Sequence, residues 1–162
     1  MERLILLRHG KAEPDSESGD DFDRRLAPRG VQETAAMAAH LAEMGFRPDV
    51  ALVSTSARTR DTWDAAVESF PHATATYRPD LYHADSAAIR VAAEQAGETC
   101  KTVIVVGHNP GIQELAVQLL VEGSSPTSLI AKATRNFPPA AAAVFLIDGN
   151  GRPHFDGLFY PG

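Results

Sequence analysis

The sequence predicts a three-layer α/β/α sandwich on a mixed, mostly parallel sheet, and three observations predict it. Short apolar runs of strand length, Leu4–Leu7, Val50–Val53 and Val103–Val106, alternate along the chain with longer segments of helical periodicity. Buried parallel strands read as continuous apolar runs, and their alternation with helices is the pattern of βα units. Near the end, the runs Ala143–Ile147 and His154–Tyr160 flank the turn Asp148-Gly149-Asn150-Gly151, an antiparallel hairpin set beside parallel strands. With 162 residues, 44% of them hydrophobic, a single domain over 1–162 can bury a proper core, and no internal repeat divides it.

The elements follow in order. The first strand covers Arg3 to Leu7, and a polar stretch from Lys11 to Arg25 reads as a mobile loop. A helix from Pro28 to Met44 places Val31, Ala35, Ala38 and Ala42 on one face and stops at Gly45. After the strand Val50–Val53, Ser56 caps a helix in which Trp63, Val67 and Phe70 recur at helical spacing. A shorter strand, Thr74 to Tyr77, leads to Leu81-Tyr82-His83-Ala84. Asp85 then caps a helix with Ile89, Ala92, Ala93 and Ala96 inward, ended by Gly97. Beyond Val103–Val106, Asn109 is expected as a cap and Pro110 as the first residue of a helix striped by Ile112, Leu115, Ala116, Leu119 and Leu120.

Bulk properties exclude several classes. The net charge of −6 argues against a nucleic-acid or acidic-membrane binder, which would carry a basic face. Cys100 is the only cysteine, so no internal disulfide forms, and no apolar run approaches membrane-spanning length. A cytoplasmic protein is expected.

The informative feature lies at two strand ends. Leu4–Leu7 runs straight into Arg8-His9-Gly10, and Val103–Val106 into Gly107-His108-Asn109-Pro110. Ligands of open α/β sheets bind beyond the carboxyl ends of the strands. Two histidines and an arginine delivered there read as an anion site. Between them, Ser54-Thr55-Ser56-Ala57-Arg58 starts at another strand end and puts Arg58 in a first helical turn. Helix N-termini favour phosphate, and arginine adds a planar fork matched to phosphate oxygens.

On Leu7-Arg8-His9-Gly10-Lys11-Ala12, Leu26-Ala27-Pro28-Arg29-Gly30, Ser54 with Arg58-Thr59 and Thr62, Leu81-Tyr82, and Gly107-His108-Asn109-Pro110, the chain resembles the histidine phosphatase superfamily. Within it the resemblance is closest to the short phosphohistidine phosphatases of SixA type. The resemblance implies a phosphoglycerate mutase-like fold and His9 as a nucleophile that forms a phosphohistidine, later hydrolysed by water. Arg8, Arg58 and His108 would surround the phosphoryl oxygens, His108 as a cationic donor, with Arg24 as a further substrate contact. No metal ligand pattern and no cofactor requirement are expected.

One departure concerns the proton donor. Many members carry a glutamate after the strand that ends here near Tyr77, and this chain has Asp80-Leu81-Tyr82-His83-Ala84 instead. Asp21, Asp23 and His83 are the candidate acids. The missing glutamate favours phosphohistidine over alkyl phosphate esters, and the resemblance implies that it is carried on a signalling or phosphotransfer protein, with inorganic phosphate as product. The alternatives are a phosphatase of a small phosphate ester and, from another class, a non-catalytic phosphate-binding module. Tyr82, Trp63 and Phe70 are expected in the core.

Overall fold

The structure is a computed structural model and describes residues 1–162. Six strands, β1 (Arg3–Arg8), β2 (Val50–Ser54), β3 (Thr74–Arg78), β4 (Thr102–Gly107), β5 (Ala142–Ile147) and β6 (Pro153–Phe159), make one sheet in the order β3-β2-β4-β1-β5-β6. The first four are parallel to one another, while β5 runs antiparallel to β1 and β6 antiparallel to β5. This is the mixed, mostly parallel α/β sheet the sequence predicts.

Five helices cover it: α1 (Pro28–Glu43), α2 (Ala57–Ala66), α3 (Ser86–Ala96), α4 (Gly111–Glu122) and α5 (Thr127–Arg135). Strand side chains alternate between the faces. Ile5, Leu7, Ala51, Val53, Ile104 and Val106 pack with Met37 and Leu41 of α1 and Trp63 of α2. Leu4, Leu6, Val103 and Val105 point the other way, onto Ile89 of α3, Ile112 and Leu115 of α4, Ala133 of α5 and Phe137. Two apolar clusters thus fix the three layers, each buried residue removing surface at about 25 cal/mol per Å².

The termini of the helices follow local rules. Ser56 accepts from the Thr59 amide and Asp85 from the Ala88 amide, at 2.8 Å for the latter. Several expectations need correction. The buried face of α1 is Gly30, Thr34, Met37, Ala38 and Leu41, while Val31 is exposed, because the large Met37 and Leu41 set the orientation. Asn109 does not cap α4. Its amide donates 2.9 Å to the Phe137 carbonyl, and Pro110 stands at the cap position. Helix α5 stands where the sequence reading places no element. No helix is long and apolar enough to cross a membrane.

The polar stretch after β1 is also more ordered than its composition suggests. Ala12 and Leu26 bridge its two ends, and Ala27 donates to the Lys11 carbonyl at 2.9 Å. Asp61 of α2 receives both nitrogens of Arg25 at 2.8 Å and the Leu26 amide at 3.1 Å. A short 3-10 turn, Asp21–Asp23, sits at its tip. Charged residues that cannot pack apolar surface here find ionic partners instead.

Candidate active site

Register builds the site. β1 and β4 are neighbours with Arg8 opposite Gly107, and the His9 amide donates 3.0 Å to the Gly107 carbonyl. The residues that follow each pair, His9 and His108, therefore emerge side by side, their ring centroids 5.4 Å apart. β2 flanks β4 on its other side, which brings Ser54 beside His108 and Arg58 in from the first turn of α2. His9, Arg58 and His108 are 8%, 7% and 9% exposed, so each polar group there must account for its partners.

His9 Nδ1 lies 2.7 Å from the Gly10 carbonyl oxygen. A carbonyl only accepts, so Nδ1 carries the hydrogen and the lone pair stays on Nε2. Burial, reinforced by the Arg8, Arg58 and Arg24 cations, pushes the imidazole down to about 4, against the pull of the Gly10 carbonyl. At neutral pH His9 is an uncharged base. His108 Nε2 lies 2.8 Å from Ser54 Oγ, and its Nδ1 is buried without a partner. Burial first, then His9 and Arg58, push His108 down to about 3. That shift opposes a standing His108 cation, because the ring is dry and close to positive charge.

Arg8 is anchored by an N–H donated 2.9 Å to the Phe137 carbonyl, while its Nε is buried and unpaired. Two hydrogen-bonding nitrogens, Arg8 Nε and His108 Nδ1, are thus left unsatisfied among the side chains that the sequence singled out. An anion is the natural partner for such orphaned groups.

Arg58 is occupied. Its two terminal nitrogens donate to Asp21, one to the backbone carbonyl at 2.9 Å and one to the carboxylate at 3.1 Å. The Tyr82 hydroxyl donates 2.5 Å and Arg24 2.9 Å to the same carboxylate. Tyr82, then Arg24 and Arg58, hold the Asp21 carboxyl well below the usual carboxylate range. As a proton donor Asp21 is therefore poorly placed, because three donors stabilise its charged form. Asp23 turns away to accept from Ser18 at 2.6 Å. His83 is exposed beside Tyr82, with ring centroids 4.0 Å apart.

Tyr82 is the residue that sequence reasoning misplaced. It belongs to the rim and not the core, with its ring edge-on to His108 at 5.5 Å and to Phe22 at 4.9 Å. The motif Leu81-Tyr82 marked the spot, but an aromatic next to a buried leucine reads as packing. Trp63 and Phe70 are buried as expected. Arg25 and Arg29 pair with Asp61 and Glu33 and do not reach the histidines. No cluster of three or more His, Cys, Asp or Glu side chains of metal-holding kind occurs.

Known proteins share this fold. The profile of the histidine phosphatase superfamily (branch 1) matches residues 4–86. A crystal structure from Agrobacterium tumefaciens, described as a "putative phosphohistidine phosphatase SixA", superposes with a TM-score of 0.85 at 30% identity, covering 99% of this chain and 98% of that one. A second structure of the same description, from Nakamurella multipartitia, gives 0.84 at 28% identity over 99% and 96% of the two chains. An uncharacterized Mycobacterium tuberculosis protein is 30% identical over 145 residues, 89% of each chain.

Proposed function

The chain belongs to the histidine phosphatase superfamily, and from that premise we propose a phosphatase that works through a phosphohistidine on His9 and acts on phosphohistidine in another protein. One observation carries the reading: a neutral His9 with Nε2 free, beside the unpaired Arg8 Nε and His108 Nδ1 and the Arg58 fork. Nε2 attacks phosphorus in line and the bond from phosphorus to the substrate's ring nitrogen breaks; that nitrogen keeps the electron pair, and the ring leaves as neutral imidazole because its other nitrogen already bears a proton. Water then attacks the His9 phosphoramidate and releases inorganic phosphate.

Charge stabilisation comes from the chain's own side chains, and no metal is assigned to the step. Arg8 and Arg58 face the equatorial oxygens. With Ser54 donating to Nε2, a neutral His108 presents Nδ1–H to a third oxygen. Asp21 pairs with Arg58, so an arriving phosphoryl group takes over the place of a carboxylate.

The state of Asp21 favours a phosphohistidine protein substrate over a small ester. Asp21 is held as a carboxylate, which leaves no strong acid for an alkoxide leaving group, whereas an imidazole leaves without one. The similarity to the two SixA-type structures points the same way.

The test is a panel of phosphohistidine proteins and sugar phosphates, with quenching during turnover. We expect an acid-labile, base-stable phosphoryl group on His9 and preference for phosphohistidine. His9→Ala should lose on the order of 10⁴ or more in rate. A folded His9→Ala protein with ordinary activity removes the covalent mechanism. Preference for sugar phosphates makes the small-ester reading the better one.

A further inference from the structure

Thr62 is a motif residue that the phosphatase reading leaves without a task. It lies on α2, fully buried, one turn after Arg58. Its Oγ1 accepts from the Gly10 amide at 3.1 Å and donates to the Arg58 carbonyl at 2.7 Å. One hydroxyl therefore joins the peptide just after the nucleophile to the helix turn that carries the phosphate-binding arginine.

Gly10 has no freedom on its other side. A Cβ there would sit 2.7 Å from the Gly30 carbonyl oxygen and 2.7 Å from Thr34 Oγ1, both on α1. The residue is pressed against α1 and tethered to α2. Its carbonyl is the group that takes the His9 Nδ1 hydrogen. Where that carbonyl points decides which ring nitrogen of His9 keeps the lone pair.

We propose that Thr62 is a positioning residue: by holding the Gly10 amide it aims the Gly10 carbonyl at His9 Nδ1 and so keeps Nε2 as the attacking nitrogen. This rests on the reading of His9 as the nucleophile. The same hydroxyl fixes the Arg58 turn to the end of β1, so fork and nucleophile keep one separation.

The decisive variant is Thr62→Val, which matches the shape and deletes both hydrogen bonds, with Thr62→Ser as the conservative rescue. Two readouts are needed: kcat and KM on an aryl phosphate, and the ring ¹⁵N shifts of His9 in the unliganded protein, which report the tautomer. Expected for Thr62→Val is a loss of about 10- to 100-fold in kcat, the size of a small misplacement of a reacting group, with KM little changed. The Nε2–H tautomer should appear beside the Nδ1–H form, and Thr62→Ser should restore both readouts.

An unchanged tautomer in Thr62→Val overturns the proposal, as does a rise in KM alone, which would confine Thr62 to holding Arg58. A changed tautomer with undiminished kcat overturns it too. If the valine variant does not fold, Thr62→Ala gives the same two readouts. Hydrogen exchange at the wild-type Gly10 amide adds a further check: rapid exchange there denies the Thr62 bond outright. The tautomer is read without substrate, so failure to trap a phosphoenzyme refutes the phosphatase reading and leaves this test standing.

Discussion

At the scale of single residues, the site works by withholding partners from a few nitrogens. His9 donates its Nδ1 hydrogen to the Gly10 carbonyl and keeps Nε2 open, while Arg8 Nε and His108 Nδ1 are buried with nothing to bind. Leaving such groups unpaired costs about 1–3 kcal/mol each, which is recovered when an oxyanion arrives. The same dry, cation-rich setting keeps both rings neutral, His9 near 4 and His108 near 3. Protonating either one would place a third positive charge beside Arg8 and Arg58. In an NMR titration of the unliganded protein, the ring signals of His9 and His108 are therefore expected to move only below pH 5. A midpoint at pH 6 or above for either ring would mean that the site holds water or a counter-anion able to stabilise an imidazolium. That result would restore the cationic His108 expected from the sequence.

At the scale of elements, the strand ends supply the fixed side of the site and the segment after β1 supplies the adjustable side. Asp21, at the tip of that segment, covers Arg58 and is itself half exposed, its side chain at 50% relative accessibility. The Asp21 end of the pair is open to solvent and screened, so Asp21 competes only modestly with an incoming anion. Asp21→Asn should then tighten inorganic phosphate or vanadate binding by about two- to fivefold, read as a competitive inhibition constant. Weaker binding in that variant would make Asp21 a contributor to anion binding through Arg58 and Arg24 instead of a competitor. The sequence made the fixed side legible and the adjustable side opaque, for physical reasons. Apolar runs ending in Arg8-His9 and Gly107-His108 announce both the strands and what they deliver, since strand burial and the strand-end rule are local. The partners of Asp21 come from residues far apart in sequence, Arg58 and Tyr82, and no spacing rule connects them. Helix α5 is hard to read because it is nine residues long and its inward face amounts to Leu129, Ile130 and Ala133 alone. Asn109 misled because its side chain is drawn to the Phe137 carbonyl, a contact invisible to a capping rule.

At the scale of the whole molecule, the site is a liability to the fold that carries it, and pH exposes this. Both histidines have folded pKa values below the ordinary 6.5, mainly because burial disfavours their charged forms. The unfolded chain therefore binds protons below about pH 6.5 that the folded chain refuses. Stability should be full above that pH and should fall as pH drops from 6.5 towards 4. With two such groups the steepest slope is about 3 kcal/mol per pH unit, each proton accounting for about 1.4. Asp21 acts in the same direction further down, since its depressed pKa adds stability that is lost as the carboxylate protonates. Urea unfolding at a series of pH values between 7.5 and 4.5 checks this. The wild-type free energy should decline steeply across the range, and His108→Asn, which removes one of the two buried bases, should decline with roughly half the slope. Saturating phosphate should raise stability at every pH through binding to the folded state alone. A wild-type curve that stays flat down to pH 5 would show that the histidines accept protons inside the fold. The unpaired nitrogens would then be those of a hydrated site and not of a dry cradle built for an oxyanion.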